Sequence, residues 1–153
     1  MKKKIVYVGL AADILHKGHI NILKTANRYG NIIVGLLTDQ AIASYKNIPY
    51  LDYEKRKVVI ENIRYVKKVV PQNTLDYVSN LELIKPDYVI HGNDWKTGVQ
   101  KKTRERVIKI LKKWSGKLIE PNYTENISST LIKKEMNNIV SHPENRVSRL
   151  KRL

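Results

Sequence analysis

Short unbroken apolar runs, each followed by a stretch with helical spacing, constrain the fold of this chain more than any other feature. The runs fall at residues 5–8, 32–37, 67–70, 88–91 and 117–119. The helical stretches fall at 18–29, 52–64, 75–84, 101–114 and 128–138. A strand covered on both faces shows no polar side to water, so it reads as a continuous run rather than an alternation. A helix between two such strands brings the chain back to the same sheet in parallel.

The pattern predicts an α/β fold, a Rossmann-like, doubly wound, five-stranded parallel sheet with helices on both faces and right-handed crossovers. Ligands of such sheets gather beyond the carboxyl ends of the strands, where the strand order reverses. The polar clusters obey that rule. Asp13 to His19 follow the first run, Thr38 and Asp39 the second, His91 to Trp95 the fourth, and Ile127 to Thr130 the fifth. Gly30 sits where a helix C-cap falls, and Asp52 stands ready to cap the next helix after Pro49. One domain is expected over residues 1–139. Residues 140–153 lose apolar periodicity, turn basic and read as a linker or tail leading towards a further domain.

Composition narrows the chemistry. There is no cysteine among the 153 residues, which excludes disulfides, thiolate metal sites and cysteine nucleophiles. No apolar run approaches a membrane span, and MKKKIVYVGL passes straight into a strand without a leader, so the cytoplasm is the expected location. The formal net charge of +15 raises the rival reading of an electrostatic nucleic-acid binder. The cations, however, are dispersed along the helices (Lys55, Arg56, Lys57, Lys101, Lys102, Arg104, Arg106), and there is no phenylalanine to stack bases. The favoured reading is a lysine-rich surface that attracts small polyanions.

The candidate chemistry centres on His16-Lys17-Gly18-His19, at the turn from the first strand into the first helix. The first N–H groups of a helix have no intrahelical partner and carry the positive end of its dipole, so such a turn binds phosphate. Gly18 lets a polyphosphate approach the backbone. A lone histidine there commonly just fills the helix start; two flanking a glycine point to a shared oxyanion. Asp13 is placed to orient an imidazole or hold a metal. Lys17 faces solvent and receives no role.

His16-Lys17-Gly18-His19, taken with Ile127-Ser128-Ser129-Thr130 towards the other end, resembles the two ordered signatures of the HxGH nucleotidyltransferase superfamily, and within it the cytidylyltransferases. His91-Gly92-Asn93-Asp94-Trp95 looks like the G-[DN]-D-W segment of that family. The segments GLAADILHKGH, LLTDQAIASYK, PYLDYEKRK, TLDYV, KPDYVIHGNDW and YTENISST are most similar to the cytidylyltransferase domains joined to phosphoenolpyruvate mutase in phosphonate biosynthesis, a likeness covering residues 4–134. The resemblance implies that His16, His19 and Lys46 are catalytic. It implies that Gly9, Leu10, Asp13, Gly18, Arg56, Arg64, Gly92, Asp94, Ile127, Ser128, Ser129 and Thr130 bind the nucleotide, with Mg²⁺ held through Asp94. Without it, Lys46, Arg56 and Arg64 would be read as surface cations, Trp95 as a structural lid, and Ser128 as a plain N-cap.

Two departures bear on the acceptor. Glycerol-phosphate cytidylyltransferases place an arginine and a glycine before the second signature, where this chain has Tyr123 and Asn126. Relatives acting on glycerol phosphate or choline phosphate read G-T-F-D before the histidines, where this chain reads Gly9-Leu10-Ala11-Ala12-Asp13. The expected reaction is CMP transfer from CTP to 2-aminoethylphosphonate or 2-hydroxyethylphosphonate, with a homodimer implied by the resemblance. The alternatives are glycerol-3-phosphate as acceptor, adenylyl transfer to another phosphate, and, outside the class, a basic nucleic-acid-binding module.

Overall fold

β1 (Ile5–Leu10) occupies the centre of a single parallel sheet, with its first helix, α1 (Lys17–Asn27), leaving from its carboxyl end. The computed structural model describes residues 2–142 and 144. Around β1 lie β2 (Asn31–Leu37), β3 (Val66–Gln72), β4 (Tyr88–Ile90) and β5 (Lys117–Ile119), in the order β3-β2-β1-β4-β5 with every pairing parallel. The remaining helices are α2 (Asp39–Ala43), α3 (Tyr53–Glu61), α4 (Val78–Ile84), α5 (Lys101–Leu111) and α6 (Ser129–Ser141). The expected α/β architecture is therefore present. The order reverses between β1 and β4, which opens a crevice at their carboxyl ends.

Helices cover both faces because successive side chains of each strand point opposite ways. Val6 and Val8 of β1 join Ile32, Val34 and Leu36 of β2 beneath Leu23 and Ala26 of α1 and Ile60 of α3. Tyr7 and Val89 face the other side, against Leu81 of α4 and Val107, Ile110 and Leu111 of α5. Each fully buried aliphatic side chain contributes about 2 kcal/mol of transfer free energy.

Two glycines paired in register, Gly9 on β1 and Gly35 on β2, make room for rings. A Cβ on Gly9 would stand 2.3 Å from the Tyr77 hydroxyl, and one on Gly35 1.7 Å from the Tyr7 hydroxyl. That hydroxyl donates to Gln72 Oε1 at 2.6 Å and accepts from Asn80 at 2.9 Å, so a buried phenol is satisfied.

The structure differs from the sequence reading at several borders. α2 was not foreseen, being only five residues long and too short to show a period. β3 runs through Pro71 to Gln72, which a strand paired on one side alone tolerates. Arg28, not Gly30, is the C-cap of α1; Gly30 passes beneath the Lys4 carbonyl, 2.2 Å from where a Cβ would sit. Asp52 does cap α3, accepting from the Lys55 N–H at 3.0 Å. α6 continues to Ser141, beyond the expected border at 139, while residues 143 and 145–153 of the expected tail lie outside the described residues. Among the described residues no helix is long and apolar enough to cross a membrane.

Candidate active site

His16 is the N-cap of α1, in extended backbone, and its Nδ1 accepts from the Gly18 N–H at 3.1 Å. His19, one turn on, returns the favour: its Nδ1 accepts from the His16 N–H at 3.2 Å. This is a capping box built from two imidazoles instead of a hydroxyl and a carboxamide. An Nδ1 that accepts carries no proton, so each neutral ring holds its hydrogen on Nε2. Both rings are held neutral. Burial, aided by the charge His16 carries when protonated and by the charge of Lys46, pushes His19 down to about 3, and burial lowers His16 as well. The helix start is thereby equipped with two ring N–H donors whose tautomers the backbone fixes. Gly18 between them is tight against the His16 ring, 2.8 Å from a Cβ position.

The rings line a cavity of about 280 Å³ at the carboxyl ends of β1 and β4. Its floor is Val8, Gly9 and Leu10 of β1 with Ile90 of β4. Ser128, Ser129 and Thr130 reach it from the start of α6, so two helix N-termini converge on one space. The Ser128 hydroxyl oxygen caps α6 by accepting from Leu131 N–H at 3.1 Å, which leaves its O–H to donate elsewhere. Ser129 ties α6 to the first motif by donating to the Ile14 carbonyl at 3.1 Å. On the β2 side the cavity meets Leu37, Tyr45 and Lys46, with Leu75 and Tyr77 beyond β3. Burial, and then the repulsion of Lys133, lower the Lys46 ammonium.

The β4 side is built differently. His91 stacks on Trp95 with centroids 3.8 Å apart and planes 6° from parallel. Trp95 is buried and donates its indole N–H to Glu120 at 2.7 Å, and Glu120 is gripped by Arg104 at 2.6 and 3.0 Å. Arg104's hydrogen bond holds Glu120 below the usual carboxylate range although burial opposes it. Asp94 lines the cavity with its side chain 43 % exposed, and Gly92 lies close enough that a Cβ would meet Asp94 Oδ1 at 2.8 Å. No group of three or more histidines and carboxylates able to hold a metal exists among the described residues.

Four of the sequence-selected residues do not line the cavity. Asp13 is buried behind it, accepting from Leu51 N–H at 3.0 Å and ion-paired with Lys133 of α6. It neither orients an imidazole nor faces a metal position. Arg56 is buried too. Its guanidinium donates to the carbonyls of Leu51, Ala11 and Leu37 at 3.0, 2.7 and 2.8 Å and to Asp39 at 2.6 Å, so it clamps the loops after β1 and β2 from beneath. Arg64 is exposed and lies along the Tyr65 ring, 4.8 Å from its centre. Ile127 offers only its carbonyl, to the Tyr123 hydroxyl at 3.2 Å. The sequence alone marks no role for His91, Gln100 or Thr124, all of which line the cavity. Tyr45, Leu75 and Tyr77 do so as well, and their only sequence signal was position after a strand.

With a twin-imidazole helix start opposite a hydroxyl-rich one at the switch point of a parallel sheet, kinship can be read. Residues 7–135 match the family described as Cytidylyltransferase-like. The chain belongs to that family. A glycerol-3-phosphate cytidylyltransferase of Staphylococcus aureus is 35 % identical over 138 residues, covering 89 % of this chain and 96 % of that protein. The mouse ethanolamine-phosphate cytidylyltransferase is also 35 % identical, over 77 % of this chain but 29 % of that longer protein. Among solved structures, the lipopolysaccharide core biosynthesis protein of Thermoplasma volcanium superposes with a TM-score of 0.69 at 22 % identity, over 81 % of this chain and 100 % of that one, a likeness of fold. As a cytidylyltransferase-like protein the chain is a nucleotidyltransferase, and the rival reading of a nucleic-acid-binding module gives way.

Proposed function

We propose that the protein transfers CMP from CTP to a small phosphonate or phosphomonoester and releases pyrophosphate. The observation that carries this reading is the pair of neutral, tautomer-fixed imidazoles sharing one cavity with Ser128, Ser129 and Thr130. An oxygen of the acceptor attacks the α-phosphorus in line. The new P–O bond forms as the bond to the bridging oxygen breaks, and that oxygen leaves with the electron pair on pyrophosphate. An ionised phosphonate needs no general base, so the site's task is to meet charge on the equatorial and leaving oxygens. His16 and His19 meet it through Nε2–H. The α6 start and its hydroxyls receive the departing phosphates. Lys46, after α2, follows the charge from the α-phosphate to the product on its flexible four-carbon stem.

Among the described residues, Asp94 is the one carboxylate on the cavity wall. A single carboxylate suits Mg²⁺, which keeps several waters and takes most of its other oxygens from substrate phosphates. Asp94 would hold the ion, whose charge neutralises the triphosphate when bound. Asp13, being paired with Lys133, is unsuited to that role.

One feature supports a phosphonate acceptor over glycerol phosphate. Asn126 adopts φ 59°, so the left-handed turn that a glycine supplies in glycerol-phosphate enzymes is kept, but Tyr123 brings a ring where those enzymes bring a guanidinium. The identity with the S. aureus enzyme along nearly its whole length favours glycerol-3-phosphate as the second reading. Pyrophosphate release measured with CTP and Mg²⁺ against 2-hydroxyethylphosphonate, 2-aminoethylphosphonate and glycerol-3-phosphate separates them. Turnover with glycerol-3-phosphate alone would overturn the phosphonate reading, and no turnover with any phosphate acceptor would overturn the proposal. The homodimer remains part of the proposal, and light scattering on the eluting protein tests it.

A further inference from the structure

The cavity has two unlike flanks. On the β2 side its charged group is Lys46, which suits an anionic acceptor. On the β4 side the wall is His91, Gly92, Asp94, Gln100, Tyr123 and Thr124, and among the described residues it contains no lysine or arginine. An uncharged, aromatic, hydrogen-bonding group fits that flank: the nucleoside end of the triphosphate, since the phosphates are drawn to the helix starts between the flanks.

His91 is a ring of this flank whose hydrogen-bonding sense is fixed by the backbone. Its Nδ1 lies 2.8 Å from the Gly92 carbonyl oxygen, which only accepts, so Nδ1 carries the proton. Nε2 is then a lone-pair acceptor. It has no protein hydrogen-bond partner among the described residues, and it is not sealed away from the cavity that the ring lines. The ring cannot flip to present a donor without giving up the Gly92 bond. It is also held flat against Trp95, which Glu120 and Arg104 pin in place.

We infer that His91 is a specificity-determining residue that reads the base of the nucleotide, its Nε2 accepting a hydrogen from the exocyclic amino group of cytosine. Uracil presents a carbonyl oxygen at that place. Two lone pairs would face one another there, and neither would be paired. The base choice of the proposed reaction thus follows from a single imidazole tautomer, set by one backbone carbonyl and one stacked indole.

The inference rests on the proposed CTP-dependent reaction, and the test separates the two. The full chain is titrated calorimetrically with CTP and with UTP, each with Mg²⁺, as wild type, as His91→Phe and as His91→Leu. Phenylalanine keeps a ring on Trp95 and removes the acceptor; leucine serves if phenylalanine disturbs the fold. The expected result is a wild-type preference for CTP that falls about tenfold or more in either variant, through weaker CTP binding. An unchanged CTP-to-UTP ratio, or equal weakening of both as a ribose or purely structural contact would give, overturns the inference. So does a wild type that binds both equally, which leaves the proposed reaction standing. A wild type that binds neither overturns the reaction itself.

Discussion

The rings of His16 and His19 lie 4.0 Å apart, centroid to centroid, and each Nδ1 accepts a backbone N–H of the other's turn. The two histidines therefore hold the helix start together as well as facing the cavity, and any substitution mixes the two effects. Asparagine separates them. At position 16 its side-chain oxygen can take over the cap, whereas alanine cannot, so His16→Ala should lose about 1 kcal/mol of stability and His16→Asn only a few tenths. Both should lower turnover at least about a hundredfold, since neither supplies the Nε2–H donor. Denaturant midpoints alongside pyrophosphate release check this, and near-normal turnover in His16→Asn would refute the mechanism.

His19 also makes stability depend on pH. Its folded value is pushed down to about 3 by burial and then by His16 and Lys46, against about 6.5 in the unfolded chain. Between those values the unfolded state binds a proton that the native state refuses. Stability is therefore full above pH 6.5 and falls as the pH drops towards 3, with a slope of up to about 1.4 kcal/mol per pH unit from this group. His19→Asn should flatten the curve of denaturant midpoint against pH between 6.5 and 4.5. Parallel curves for the two proteins would count against the assigned burial.

Much of this was legible because the chain changes period where it changes element. Val6 and Val8 give way to the 3.6-residue spacing of Ile20, Leu23 and Ala26 across His16-Lys17-Gly18-His19, and that marks both the fold and the phosphate turn. What stayed hidden depends on contacts distant in sequence. Nothing local distinguishes Arg56 from an exposed helix arginine, since its partners are Ala11, Leu37 and Asp39. Asp13 read as a metal or imidazole partner because Lys133, its actual partner, lies at the far end of the domain. His91 and Tyr123 share a wall only because β4 and β5 are neighbours in the sheet.

Arg56 carries a prediction of its own. It satisfies the buried carbonyl of Leu37 and the half-buried one of Ala11, in the segments after β1 and β2 that border the cavity. Arg56→Met keeps much of the stem but leaves both carbonyls without this donor and Asp39 without its cationic partner, at a cost of about 3 kcal/mol. Arg56→Lys should recover little of it, because one ammonium cannot span carbonyls held by a planar fork. Thermal midpoints of the two variants test this. A lysine variant as stable as wild type would show that charge, not fork geometry, is what the loops require.

Asp13 joins three segments of the site: the turn after β1, the loop bearing Lys46 through Leu51, and α6 through Lys133. Burial alone would raise its carboxyl, but the bonds from Lys133, Leu51 and Tyr50 outweigh burial and hold it below the usual carboxylate range. Its contribution is thus present above the ordinary carboxylate value and lost as the pH falls through the depressed one. Lys133→Met strands this carboxylate and should cost about 3 kcal/mol at pH 7. The gap from wild type should narrow as the pH falls, first as the stranded carboxyl, now raised by burial, takes up a proton, and then as the pH passes through the depressed value of the wild-type group. Adding Asp13→Asn to Lys133→Met should recover part of the loss at pH 7, because a neutral amide replaces an unpaired charge while Leu51 keeps an acceptor. Strictly additive losses in that double variant would mean that the two side chains act independently, leaving the Ser129 bond to the Ile14 carbonyl as a tie of α6 to the first motif.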